Sequence, residues 1–260
     1  MSDPARTVRL CHLYPGEMNI YADRGNIAVL ARRLEWRGMR LEVTEAGLGA
    51  SISPGDHDLY YLGGGQDRDQ ALVAEDMART KGPALVSAVE DGAALLAVCG
   101  GYQLAGRGYV SAGGAAMPGI GLLDAETVAG DTRLIGDVLI AATLDGATHD
   151  VVGFENHAGR TLLGAGATPL GTVIAGHGND GESGAEGVVR LRAIGTYLHG
   201  PLLPKNPWVA DTLLRWALAH RTGGEPALAP LDDSLEDAAR QVAAGRARGE
   251  RSERLIGRRA

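Results

Sequence analysis

Apolar positions recur with two different spacings along the first hundred residues. Longer stretches repeat them near every 3.6 positions, as Ile27, Leu30, Leu34 and Met39 do within 25–39. Four short apolar runs of strand length lie around these stretches: TVRLCHLY (7–14), LEVTEAGL (41–48), HDLYYLGGG (57–65) and ALLAVCGG (94–101). Strands that alternate with helices predict βαβ units. We therefore expect a three-layer α/β fold, with a mainly parallel twisted sheet flanked by helices.

The pattern changes after about residue 120. Strand-like runs separated by Gly, Asn and Asp clusters cover 137–144, 149–159, 171–178 and 187–200. We expect this β-rich region to extend the sheet rather than to form an independent domain. A helix is predicted from Pro207 to before Gly223, followed by a linker from 225 and a charged helix over 235–255. The predicted domain thus covers 1–224, and 225–260 form a linker and charged helical tail.

Composition and charge exclude several functions. The 260 residues carry a net charge of −7, which argues against nucleic-acid binding. Residues 240–260 hold seven arginines and two glutamates, so this tail carries +5 and the rest −12. We expect a solvated tail helix; contact with a partner or an anionic membrane surface stays open. The sequence has no secretory signal or transmembrane run, and its two cysteines predict neither a disulfide framework nor a metal site. A cytoplasmic location follows, with a place near the inner membrane face open.

The run LLAVCGGYQ (95–103) is the strongest chemical signal. Cys99 ends a strand that is apolar on both faces, and ligands of parallel sheets bind beyond such carboxyl ends. Gly100 and Gly101 permit the sharp strand-to-helix turn of a nucleophile elbow. A following helix N-terminus would lower the thiol pKa. A buried, purely structural cysteine is the competing interpretation.

A thiol nucleophile needs a base and a place for a developing negative charge. His199 ends another apolar run, so it would share the edge of Cys99 if its strand runs parallel to the fourth. His157 is a second candidate for the wall of the site. The glycines after the third run, Gly63 to Gly65, could present N–H groups to an oxyanion, although an ordinary turn would look the same.

Two nucleotide-binding motifs are rejected. GHGNDG (176–181) fits GxGxxG, but turn and strand residues follow it instead of a helix, so we expect a loop. The sequence also has no GxxxxGK[ST]. We therefore expect neither dinucleotide binding nor ATP binding through a P-loop.

Taken together, YLGGGQD, VCGGYQL and YLHG resemble class I glutamine amidotransferases of the cobyric-acid-synthase-like group. Further blocks, among them LYPGEMNIYADRGNIAVL, TRLIGDV, GFENHAGRT and TYLHGPLLPKNPWVAD, are most similar to the glutamine amidotransferase subunits of lipid II isoglutaminyl synthase. The likeness runs in order from about residue 8 to 215. It implies the class I glutamine amidotransferase (flavodoxin-like) fold with a β-rich extension.

The resemblance assigns roles to matching positions. It implies that Cys99 is the nucleophile that attacks the glutamine amide and that His199 is its base. Arg133 would hold the substrate glutamine through its α-carboxylate. The backbone of Gly64 or Gly65, with that of Gly100, would form the oxyanion hole.

One departure from the wider class concerns the third catalytic acid. Many members carry an acid two residues after the histidine, and Pro201 occupies that position here. A Cys–His dyad is expected unless a distant carboxylate substitutes. Glu17 and Asp23 lie in the matched N-terminal block, and neither is assigned the role.

The resemblance also implies a partner. A Mur-ligase-like catalytic subunit would form a heterodimer with this chain, bind ATP and magnesium, and amidate the D-glutamate α-carboxyl of lipid II to D-isoglutamine. This chain would need no cofactor and would supply only ammonia. Three alternatives stay open: another acceptor such as a cobyrinate-type substrate, a stand-alone cysteine hydrolase, and a non-catalytic partner-binding module.

Overall fold

The first of two sheets carries six strands in the order β11-β12-β4-β3-β1-β2. The structure is a computed structural model that describes residues 6–19, 24–224 and 226–249. All neighbouring pairs are parallel except β11 with β12, which confirms the mainly parallel sheet. The strands are β1 Thr7–Leu13, β2 Arg40–Ala46, β3 Leu59–Leu62, β4 Ala94–Val98, β11 Val188–Arg190 and β12 Ala193–Thr196.

Most of the β-rich region forms a second sheet, so the expectation that it extends the first sheet is wrong except for β11 and β12. The long strands β7 and β8 pair with each other through an Asp145-Gly146 turn, whose positive φ angles of 49° and 76° suit a tight hairpin. Their backbone groups are therefore satisfied locally. The strands are β5 Gly108–Val110, β6 Ala116–Pro118, β7 Ala125–Leu144, β8 Ala147–Leu163, β9 Gly171–Ala175 and β10 Ala185–Glu186.

The helices are α1 Arg24–Glu35, α2 Asp67–Asp76, α3 Gly82–Glu90, α4 Gly100–Ala105, α5 Pro207–Thr222 and α6 Ser234–Ala247. Helices α1 to α5 pack around the first sheet, whereas α6 packs against the second. A π-helical turn, Met77–Lys81, makes α2 and α3 continuous. Helix α5 starts at Pro207 and is stopped by Gly223 with φ 70°, as predicted. None of the helices within the described ranges is both long and apolar enough to cross a bilayer.

One hydrophobic core serves both sheets. Strands β3 and β4 are buried at every position, and Val138, Ile140 and Val151 of the second sheet belong to the same cluster. The β-rich region thus shares the main core, and a second small cluster formed by Leu139, Val152 and Ala244 lies beside it. The boundary at residue 224 stays a prediction.

The tail helix α6 is docked on one face, whereas the sequence predicted a solvated helix. Ala244 packs against Leu139 of β7 and Val152 of β8. Asp233, just before α6, pairs with the buried Arg33 of α1 at 2.5 Å. Only the outer face is solvated, with Leu235 82% exposed. The predicted helix beyond Gly249 lies outside the described residues.

Candidate active site

Cys99 occupies a strained turn between β4 and α4. Its φ of 53° and ψ of −111° are unusual for a residue with a side chain, and such conformations cost on the order of 1–3 kcal/mol. Two backbone bonds hold the turn: Cys99 N–H donates to Thr196 O at 2.8 Å, and Gln103 N–H donates to Cys99 O at 3.1 Å. The predicted elbow geometry is therefore present, with Cys99 8% exposed.

The glycine loop Gly63–Gly65 lies directly against this elbow. Gly101 N–H donates to Gly63 O at 3.1 Å, and a Cβ added at Gly101 would come within 2.5 Å of Leu62 O. A Cβ at Gly100 would lie 3.2 Å from Gly65 N. Only glycines permit this approach. The structure thus brings the predicted oxyanion residues Gly64, Gly65 and Gly100 together beside Cys99.

His199 reaches the same edge of the first sheet as Cys99. Strand β12 pairs in parallel with β4, with Thr196 opposite Val98, which confirms the strand direction on which the prediction depended. His199 then bridges to Phe154 of β8, with N–H···O distances of 3.0 and 3.1 Å in the two directions. The imidazole is therefore fixed between the two sheets.

The electrostatic surroundings keep His199 neutral. Burial, followed by the neighbouring His157 and Arg133, lowers the pKa of His199 to about 4. Glu155 acts in the opposite direction and raises that pKa. A neutral imidazole at neutral pH can accept a thiol proton.

A buried polar chain behind the elbow was not found from the sequence. Gln70 donates to Gln103 at 2.7 Å, and Gln103 donates to Tyr197 at 3.0 Å. The Tyr197 hydroxyl lies 2.7 Å from Thr161, which lies 2.7 Å from Thr127. This row of hydrogen bonds thereby links α2, α4 and the segment before His199 to the second sheet. Gln103 in CGGYQ and Tyr197 in TYLHG were visible as polar residues in apolar runs, but their pairing was not.

His157, the second wall candidate, lies close enough to His199 to lower its pKa, and its place in the wall of the site stays a prediction. Its ring stacks on Tyr197 with centroids 3.6 Å apart, and its Nδ1 lies 2.8 Å from Gly159 O. The buried carboxylate of Glu155 lies 3.6 Å from His157 Nε2. Glu155 thus lies beside His157, and its charge acts on His199.

Glu155 also anchors the GHGNDG segment. Its two oxygens accept the amides of His177 and Gly178 at 2.8 and 2.9 Å. The segment joins β9 to β10 with no helix after it, which confirms the predicted loop. The buried Glu186 lies in the same region and accepts hydrogen bonds from the Thr196 hydroxyl and the Tyr197 N–H. Burial raises the pKa of Glu186 to about 7.

The structure describes two of the three positions that bear on a third catalytic acid. Pro201 packs against Gly25, where an added Cβ would lie 2.6 Å from the proline ring. Glu17 belongs to the turn after β1, and Asp23 lies outside the described residues. The dyad stays a prediction, with Glu155 as the electrostatic neighbour of His199.

Arg133 stands on β7 at an irregularity in its pairing with β8. Its Nε and Nη2 donate to the side-chain and backbone oxygens of Asn156 at 2.9 and 2.8 Å. The side chain is exposed, and its charge acts on His199. These bonds orient the guanidinium at the rim of the site and leave Nη1 for another acceptor.

The second cysteine lies within the first sheet, away from the elbow turn. Cys11 is buried in β1, and burial raises the pKa of its thiol to about 12. Among the described residues, no group of His, Cys, Asp and Glu could hold a metal ion. The groups that the structure gathers at this edge are a thiol, a neutral imidazole, backbone amides and an exposed arginine.

Comparisons with known sequences identify the family of the chain. The sequence model of the CobB/CobQ-like glutamine amidotransferase domain matches residues 9–207. Lipid II isoglutaminyl synthase (glutamine-hydrolyzing) subunit GatD of Staphylococcus aureus is 38% identical over 243 residues, 94% of this chain and 97% of that protein. The subunit of the same name from Streptococcus pneumoniae is 35% identical and matches 88% of this chain and 87% of its own length.

A solved structure supports the fold at lower identity. PurLQS from Thermotoga maritima superposes with a TM-score of 0.58 at 16% identity, covering 82% of this chain and 98% of that one. At this identity the likeness concerns the fold alone.

Proposed function

The chain belongs to the CobB/CobQ-like glutamine amidotransferases and, within them, to the GatD subunits of lipid II isoglutaminyl synthase, and we propose that it hydrolyses glutamine to supply ammonia for lipid II amidation. The observation that carries this proposal is the elbow at Cys99, held beside a neutral His199 and the glycine loop. A packing cysteine would have no use for a strained backbone.

The reaction begins with proton transfer. His199 takes the thiol proton of Cys99, and the sulfur attacks the side-chain amide carbon of glutamine. The amides of Gly65 and Gly100, with Gly64 beside them, stabilise the oxyanion. When the intermediate collapses, the C–N bond breaks, His199 returns the proton to the departing ammonia, and a glutamyl thioester remains. Water deprotonated by His199 then releases glutamate and the free thiol.

Arg133 binds the substrate in this scheme. Asn156 already fixes one side of its guanidinium, so the remaining donors can pair with the α-carboxylate of glutamine at little entropic cost. Its position at the rim places the reacting amide deeper, towards Cys99.

Ammonia is then used by a partner. A Mur-ligase-like subunit activates the α-carboxyl of D-glutamate in lipid II with ATP and magnesium, and ammonia converts it to the amide of D-isoglutamine. This chain contributes no cofactor. The two subunits form a heterodimer on the cytoplasmic side of the membrane.

The test is Cys99→Ala in the two-subunit complex. We expect loss of glutamine-dependent lipid II amidation, with amidation by added ammonium salts retained. Persistence of glutamine-dependent amidation would contradict the mechanism. Loss of both the glutamine-dependent and the ammonium-dependent amidation would mean that the variant no longer supports the partner. Cys11→Ala serves as the matched control.

A second candidate keeps the glutaminase and changes the acceptor. The CobB/CobQ-like domain match favours it. Amidation of a cobyrinate-type acceptor, and none of lipid II, would select this alternative.

A further inference from the structure

A buried charged cluster lies away from Cys99 and is not used by the mechanism above. Lys81 is fully buried, and its Nζ lies 2.6 Å from Asp76 Oδ2. The Tyr14 hydroxyl donates to the same oxygen at 2.8 Å, and Lys81 Nζ lies 4.5 Å from the centre of the Tyr14 ring. Burying an ammonium group is costly, so such a cluster needs a reason.

The cluster holds a residue with a strained backbone. Tyr14 directly follows β1 and has φ 52°, a left-handed conformation that non-glycine residues rarely adopt. Its carbonyl accepts the amides of Glu17 and Met18 at 3.2 and 2.8 Å, which closes a tight turn over 14–18. The side chain of Tyr14 therefore anchors this turn to Asp76 and Lys81.

The other end of the turn presses on the glycine loop. A Cβ on Gly63 would overlap the Met18 carbonyl oxygen, and one on Gly65 would overlap its sulfur. Met18 is itself fully buried. The elbow contacts the loop from another direction, through Gly101 N–H and Gly100. The loop is thus confined between Met18 and the elbow.

The anchor also lies on the segment that follows the loop. Helix α2 starts two residues after Gly65 and ends at Asp76, and the π-helical turn that follows ends at Lys81. Such turns interrupt α-helices mostly where a local requirement outweighs regular hydrogen bonding. Here the turn sets Lys81 beside Asp76 and under Tyr14.

We propose that Tyr14, Asp76 and Lys81 are positioning residues, which hold the 14–18 turn so that Met18 fixes the Gly63–Gly65 amides for the oxyanion. This inference rests on the proposed glutaminase. An amide that drifts from the oxyanion position loses part of a stabilisation that is worth about 100- to 1000-fold in rate. The cluster therefore affects amide hydrolysis without touching glutamine.

The experiment compares Tyr14→Phe and Lys81→Met with the matched control Tyr60→Phe. Tyr60 is equally buried and stands in the neighbouring β3, with its ring against that of His57. We expect kcat for glutamine hydrolysis to fall about tenfold in the two cluster variants, with KM changed less than twofold. The control should keep the wild-type kcat.

Alkylation of Cys99 by iodoacetamide separates positioning from general damage, because that reaction forms no oxyanion. Its rate should stay within twofold of wild type in both cluster variants. An equal fall in alkylation and kcat, or an unchanged kcat, would overturn the proposal. Met18→Ala, which leaves the cluster intact, should reproduce the kcat loss, and it replaces any cluster variant that does not fold.

Amide hydrogen exchange gives a readout that does not depend on turnover. Exchange over residues 62–66 should be faster in the cluster variants than in wild type and the control. Unchanged exchange would refute the positioning role. If wild type itself hydrolysed no glutamine, with or without a partner, the proposed function would fail, while exchange would still decide the inference.

Discussion

At the edge of the first sheet, Cys99 and His199 follow two parallel strands that pair directly, whereas in the second sheet Arg133 donates hydrogen bonds to Asn156 from the irregular part of an antiparallel pair. The first pair is buried, and backbone bonds and close glycine contacts set its geometry. Arg133 is exposed, and side-chain bonds orient it. Backbone packing thus sets the geometry of Cys99 and His199, while side-chain hydrogen bonds set that of Arg133.

The largest expected effect comes from adding one methyl group at the elbow, in α4, with a methyl group added in the second sheet as the control. Gly101→Ala would place a Cβ 2.5 Å from Leu62 O and 2.7 Å from Gly63 O, and backbone atoms cannot give way easily. We expect glutaminase activity to fall at least 1000-fold, on the order of a lost oxyanion donor or more. In the second sheet, Gly136→Ala meets no atom within 4 Å and is the matched control. Activity of Gly101→Ala near that of Gly136→Ala would show that the elbow tolerates displacement.

Arg133→Lys tests the exposed arginine of the second sheet. Lysine keeps the charge but cannot bind Asn156 and a carboxylate with one planar group. KM for glutamine should rise about 10- to 100-fold, a loss of roughly 1.4–2.8 kcal/mol of binding, with kcat changed much less. Steady-state kinetics measure both values. A fall in kcat at unchanged KM would place Arg133 in the chemical steps instead.

The pH dependence of activity tests whether the interface between the sheets sets the protonation state of His199. Because its pKa is lowered to about 4, kcat/KM should hold down to about pH 5 rather than fall near pH 6.5. The unfolded chain binds this proton at a higher pH than the folded protein does. The folded state therefore loses stability as the pH falls from 6.5 to about 4. Arg133→Gln removes a nearby cation and should shift the acid limb of the kcat/KM profile to a slightly higher pH. An acid limb near 6.5 in wild type would contradict the buried, neutral histidine.

The smallest effect is expected at the tail, far from either set of groups. Asp233→Asn weakens one partner of Arg33 while Asp211 still binds it at 2.6 Å. We expect a loss of about 1 kcal/mol, a fall in Tm of roughly 2–4 °C, and unchanged glutaminase kinetics. Thermal denaturation measures it. A marked change in kcat would mean that tail docking reaches the site.

Prediction from sequence succeeded where local chemistry decides structure. The apolar runs ending in Cys99 and before His199 were identified as strands because their periodicity and glycines are local signals. The second sheet was missed because strand partners depend on long-range pairing, although Asp145-Gly146 offered a hairpin signal. The tail helix was located, but its docking on Leu139 and Val152 was not predicted.

The sequence by itself determined the strand and helix pattern, the elbow and the family resemblance, because these reside in neighbouring residues and short motifs. Only the tertiary structure placed Gly65 against Gly100, Arg133 beside Asn156 and Tyr14 over Lys81. Those contacts join segments far apart in the chain, and they form only when the core brings both sheets together. Burial of His199 has the same origin: its lowered pKa comes from what packs around the imidazole, which no neighbour in the sequence specifies.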